Sequence, residues 1–106
     1  MNAKEIEQEI GGLMPLNEFL KIQRRLKDLR FEEEAKLRAL SELQQVYLGA
    51  NTDQERELVK EAVGRIRELS RATRQEIREL NNRIVQFMPL EQARELFDKY
   101  EKSTEK

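Results

Sequence analysis

The 106-residue chain contains no cysteine, no histidine and no tryptophan. Without cysteine there is no disulfide, no thiolate nucleophile and no cysteine-held metal, while the redox compartment stays open because cysteine-free chains occur in every compartment. Without histidine the chain lacks the commonest general base near neutral pH and the commonest metal ligand. Ser41, Ser70 and Ser103 then have no neighbouring base to activate them. The residue types therefore point away from an enzyme and predict no cofactor and no metal. Two prolines, four glycines and only 6% aromatics beside 39% charged residues suit long solvated helices better than a mixed fold, and no stretch reads as a strand. No run approaches the roughly 20 apolar residues of a membrane span. The opening Met-Asn-Ala-Lys-Glu-Ile-Glu lacks the apolar core of a signal peptide, although a mature secreted chain reads the same way. An excess of one charge is missing too. With 20 basic against 21 acidic residues the net charge is −1, so overall charge favours neither nucleic acid nor an anionic membrane as partner.

What the chain does have is apolar spacing. Phe19, Ile22, Leu26, Leu29, Glu33, Leu37, Leu40, Gln44 and Tyr47 follow steps of 3,4,3,4,4,3,4,3, the recurrence of one buried helical face. Val59, Ala62, Ile66, Leu69, Thr73, Ile77, Leu80, Ile84 and Phe87 repeat those steps 40 positions later. The pattern reads the same backwards, so the two stripes also fit as antiparallel partners. The predicted fold is all-α: a long antiparallel helical hairpin over about 15–48 and 52–88, with short N- and C-terminal helices, forming a single domain. Pairing residues whose numbers sum to 106 sets Phe19 against Phe87, Ile22 against Ile84, Leu26 against Leu80, Leu29 against Ile77, Leu37 against Leu69 and Leu40 against Ile66. Glu33 falls against Thr73 at the doubled four-residue step, which locally unwinds a heptad seam. This polar layer reads as a register device or as a carboxylate leaning to water, not as a catalytic acid.

Local chemistry predicts the element ends. Ala3, Ile6, Ile10 and Leu13 give a short helix, docked or fraying, that Gly11-Gly12 and Pro15 terminate. Pro15 suits a first helical turn because the donor it lacks is unpaired there anyway. Gly49 stops the first long helix, and Thr52 with Glu55 forms a capping box for the second. Pro89 breaks or kinks that helix after Met88. Leu90, Ala93, Phe97 and Tyr100 give a last amphipathic helix, and the tail Lys102-Ser103-Thr104-Glu105-Lys106 is expected to fray.

Two surface features remain. Phe31, Ala35, Ala39 and Val46 form a second ridge, roughly opposite the core stripe at about 100° per residue, that a single hairpin does not bury. A terminal segment or a second copy would cover it, and the second alternative predicts a homodimer; a ridge that merely happens to be apolar is the remaining reading. On the second long helix Lys60, Arg67, Arg71, Arg74 and Arg78 share one flank, with Glu57, Glu61, Glu68 and Glu79 on the other. Lys27, Arg30 and Arg38 of the first long helix join the basic flank. It reads either as a solvated face with helical ion pairs or as a shallow basic groove for an acidic protein segment. A nucleic-acid backbone fits less well, because no stacking aromatics interleave the arginines.

The segments around the two prolines repeat one another, Met14-Pro15-Leu16-Asn17-Glu18 and Met88-Pro89-Leu90-Glu91-Gln92. With Asn82-Arg83-Ile84-Val85-Gln86-Phe87 ahead of the second and Phe97 beyond it, the C-terminal third resembles the Spy/CpxP family of periplasmic helical chaperones and the related CnrX-type metal sensors. That family carries two Leu-Thr-x-x-Gln motifs around a helical hairpin; here Gln92 is retained, Met88 stands for leucine, prolines stand for both threonines and Glu18 for the first glutamine. The resemblance implies a periplasmic homodimer that holds unfolded clients or senses envelope stress. It does not imply metal sensing, because the sensor branch uses histidine ligands. The leading reading is a non-catalytic protein-interaction module of holdase type; the alternative is a cytoplasmic coiled-coil adaptor, an assembly or secretion chaperone with one specific protein partner.

Overall fold

A computed structural model describes residues 2–105, and the regular structure among them is entirely helical. The elements are α1 (Ala3–Gly11), α2 (Leu16–Leu48), α3 (Asp53–Val85) and α4 (Leu90–Thr104). The predicted hairpin is present, with α2 and α3 as its two long antiparallel arms.

The ends follow hydrogen-bond supply. Asn2 Oδ1 accepts from the Glu5 amide at 2.9 Å and caps α1. Both prolines sit one position before their helices rather than inside the first turn. Pro15 offers its carbonyl to Phe19 N at 3.0 Å and Pro89 offers its own to Ala93 N at 3.1 Å, so each starts a helix as an acceptor. At the tip Thr52 Oγ1 accepts from Glu55 N at 3.1 Å, and Glu55 Oε2 accepts in return from Asn51 N at 3.0 Å. The reciprocal cap forms one residue earlier than a standard box places it. α3 ends at Val85, three residues before the expected Met88: Phe87 N and Met88 N both turn back onto the Ile84 carbonyl, at 2.9 and 3.1 Å. The expected fraying from Lys102 does not appear, because Ser103 and Thr104 hydroxyls bond back to the Tyr100 and Glu101 carbonyls and α4 runs to Thr104. The expected fraying at Lys106 lies outside the described residues.

The chain divides into two compact units. One comprises residues 1–27 and 77–106. Its core gathers Ile6 and Ile10 of α1, Phe19, Ile22 and Leu26 of α2, Ile84 of α3, and Ala93, Leu96 and Phe97 of α4. α1 packs on α4. Phe19 and Phe97 meet edge to face with ring centroids 6.5 Å apart, a geometry that favours aromatic pairs beyond their burial. The expected apolar faces shift slightly: Leu13 and Leu90 are exposed, and Leu96 takes the core position on α4. Leu96 lies three residues from Ala93 and one from Phe97, so the buried stripe of α4 is wider than the residues chosen from spacing alone.

The other unit, residues 28–76, departs from the expected seam. On α2 the inward positions are Leu29, Glu33, Lys36, Leu40 and Leu43, and on α3 they are Val59, Val63, Ile66, Ser70 and Thr73. Both follow a strict seven-residue repeat. The doubled four-residue step is not taken, so the expected Leu37 and Leu69 layer is absent; Leu37 is 52% and Leu69 59% exposed. The exchange is nearly even in apolar content. Leu43 replaces Gln44 and Val63 joins the half-buried Ala62, at the cost of Lys36 and Ser70 replacing Leu37 and Leu69. What decides it is continuity, because an unbroken heptad keeps one supercoil sense where a four-residue insertion must locally unwind it. Lys36 fits by laying its aliphatic stem in the seam and giving its ammonium to the Leu69 carbonyl at 3.2 Å and to Thr73 Oγ1.

Candidate protein-interaction surface

The polar layer exists, with partners other than those expected. Thr73 Oγ1 accepts from Lys36 and donates to the Leu69 carbonyl at 3.0 Å, while Glu33 Oε1 accepts from Arg74 Nε at 3.1 Å. Glu33 and Thr73 therefore belong to one layer without bonding each other. Glu33 Oε2 and the Ser70 hydroxyl are buried with no hydrogen-bond partner. Each such group costs stability, so the seam of this unit is weaker than its length suggests.

Following the strict repeat turns apolar side chains outward. Among the described residues the exposed large apolar side chains of residues 28–76 are Phe31, Leu37, Val46, Tyr47, Leu48, Leu58 and Leu69, whereas only Leu29 and Val59 are fully buried ones. Two of them, Leu37 and Tyr47, share one groove. Leu37, Leu40 and Tyr47 of α2 and Val59 and Val63 of α3 line a groove of about 760 Å³ between the two helices, rimmed by Lys60 and Arg67. Gly64 forms part of its α3 wall, and a Cβ added there would meet nothing within 4 Å.

The ridge lies elsewhere on α2. Phe31 (66%), Ala35 and Val46 (56%) are exposed and Ala39 is half-buried. At about 100° per residue, Ala35, Ala39 and Val46 project to the side of the seam away from Leu37, and Leu58 and Leu69 project to that same side from α3. The hairpin thus shows two uncovered apolar faces in this unit, of which only the ridge was expected.

The basic residues separate by partner and by unit. Lys60 bonds Glu57 at 3.3 Å, Arg74 bonds Glu33, and Arg30 also has a partner. Arg38, Arg67 and Arg71 are exposed and make no ion pair or hydrogen bond among the described residues. Arg71 lies one helical turn beyond Arg67 on the groove side of α3. Lys27 and Arg78 fall in the other unit, where Lys27 bonds Glu101 at 3.1 Å. Among the described residues Lys27, Arg30, Lys60 and Arg74 of the flank have partners, and Arg67 and Arg71 stand unpaired on the groove side of α3.

In the unit holding both termini the main electrostatic feature is a pair not singled out from the sequence. Arg83 donates from Nε to Glu18 Oε1 at 2.5 Å and from Nη2 to Glu18 Oε2 at 3.2 Å. The same guanidinium lies 4.7 Å from the Phe87 ring centroid and bonds Gln86 Oε1 at 3.1 Å. The Arg83 hydrogen bond holds the Glu18 carboxyl below the usual carboxylate range, and the same bond raises Arg83. The fork fixes the start of α2 against the end of α3.

No helix of the described residues is long and apolar enough to cross a membrane. The chain matches no protein-family model, and neither a curated protein nor a solved structure matches it at a significant level.

Proposed function

We propose that this chain is a non-catalytic protein-interaction module that dimerises and holds protein partners, with holdase-type chaperoning of unfolded clients as its most concrete form. One observation carries the reading: most of the large apolar side chains left uncovered among the described residues fall in residues 28–76, on a helical pair with little core of its own. Contiguous apolar exposure of this kind marks interaction surfaces in soluble proteins. The resemblance of the segment around Met88-Pro89-Leu90-Glu91-Gln92 to Spy/CpxP chaperones supports the same reading and would place the protein in the bacterial periplasm. Uncovered apolar surface beside unpaired arginines suits clients that are partly apolar and partly acidic.

The test is aggregation of a reduced or heated acidic client, followed by light scattering with the chain in several-fold excess. The expected result is suppression that weakens with salt without vanishing, since exposed charge is screened and apolar contact is not. Absence of suppression for every client tried would remove the holdase form. A second reading, an adaptor or assembly chaperone with one specific partner, is favoured by the groove, whose bounded apolar floor suits a defined segment better than an unfolded ensemble.

A further inference from the structure

Resting on the interaction-module reading, we propose that the groove between α2 and α3 is a docking site for one amphipathic, acidic helical segment of a partner protein. Three independent features define the occupant. The first is shape. The α2 wall runs from Leu37 to Tyr47, about 15 Å at 1.5 Å per residue, which matches about three turns of a helix lying lengthwise. A helix in such a groove presents apolar side chains at i, i+3, i+4 and i+7 to the floor. A strand has nothing to pair with here, because the backbone groups of both walls are spent inside α2 and α3.

The second feature is Gly64. A glycine in a helix interior is destabilising relative to alanine. The chain's own packing does not require it, since a Cβ there would meet only open space. Its missing side chain lowers the groove wall and lets a foreign backbone approach α3 closely. The third is charge. Arg67 and Arg71 stand one turn apart on the groove side of α3 with no acidic partner among the described residues, whereas Lys60 and Arg74 have theirs. Two unpaired guanidiniums at one helical repeat match carboxylates spaced i, i+4 along a partner helix, and arginine suits bidentate carboxylate pairing.

A second copy of this chain is a poorer occupant. Its acidic amphipathic helix, α1, already commits Ile6 and Ile10 to a core. Its ridge on α2, entering the groove of a neighbour, would make a head-to-tail contact that runs on into rings or fibres rather than closing as a dimer.

The test uses the full chain and a labelled synthetic helix of about four turns, with leucine at i, i+3, i+4 and i+7 and glutamate at the outward positions, against a counterpart carrying lysine for glutamate. Fluorescence polarisation should show saturable binding of the glutamate peptide and binding about tenfold weaker for the lysine one. Arg67→Glu with Arg71→Glu should reverse the preference, and Gly64→Leu should weaken capture of the glutamate peptide about tenfold with unchanged circular dichroism. Equal binding of the two peptides, or capture unaffected by Gly64→Leu, overturns the proposal. So does self-association that sedimentation detects in the wild-type chain and that Gly64→Leu abolishes, because a second copy then fills the groove. Failure of the glutamate peptide to bind the wild-type chain, with client protection that survives Gly64→Leu, sinks the groove alone and leaves the interaction-module reading standing.

Discussion

At the scale of single residues, the Glu18 and Arg83 pair gives the clearest pH dependence. Glu18 has its carboxyl lowered in the folded chain by the Arg83 hydrogen bond. The sign follows from proton linkage: a carboxyl depressed on folding contributes stability that is fully present above its unfolded pKa of about 4.3 and is lost as pH falls through its lower folded value. The raised Arg83 adds no pH dependence near neutrality, since arginine stays charged throughout that range. Thermal melts of the wild type and of Glu18→Gln should differ at neutral pH, with the variant less stable, and the two curves should converge as the pH drops below about 4. A gap that persists unchanged into strong acid would show that the pair contributes nothing through its charge. Glu18 was legible in the sequence only as a departure from a motif. Arg83 was invisible as its partner because the two residues are far apart in the chain, and only the closed hairpin brings them together.

At the scale of elements, the hairpin, its tip and its four helices were legible, because 3.6-residue periodicity, glycine, proline and capping residues act locally. The phase of the seam beyond Leu29 was not. Apolar content is nearly even between the two phases and supercoil continuity favours Lys36 and Ser70, so the choice belongs to the pair of helices rather than to either sequence. Lys36 can take a seam position because its stem is apolar and only its ammonium needs acceptors, here the Leu69 carbonyl and Thr73 Oγ1. The basic groove was anticipated as a flank, but its floor was not, because Leu37 and Tyr47 had been spent on the core. The absence of cysteine allows a direct check of the phase. Single variants Leu37→Cys and Leu69→Cys should react with a maleimide at rates typical of exposed thiols, while Ser70→Cys, 5% exposed in the parent residue, should react about tenfold more slowly. The reverse order would restore the doubled four-residue step.

At the scale of the whole molecule, the two units are built on unequal cores. The terminal one buries a continuous cluster from all four helices, including Phe19, Leu26, Ile84 and Phe97. Residues 28–76 rely on Leu29, Val59, half-buried aliphatics and a polar layer containing two unsatisfied atoms. Local opening free energy follows such differences in buried apolar contact, so amides of α2 and α3 within 28–76 should exchange with solvent faster than those buried in the terminal core. The proposed homodimer makes this asymmetry depend on concentration, because binding that favours the folded form stabilises it by mass action. Exchange within 31–46 should slow as the chain is concentrated into the range where sedimentation equilibrium finds dimer, if the Phe31, Ala35, Ala39 and Val46 ridge is the interface. Phe31→Glu places a charge on an exposed side chain and leaves the core untouched, so it should return the chain to monomer and remove the concentration dependence while the terminal core keeps its protection. A wild-type chain that stays monomeric at tens of micromolar, with Phe31→Glu altering nothing, would leave the ridge as bare surface and make the groove the principal interaction face of the hairpin.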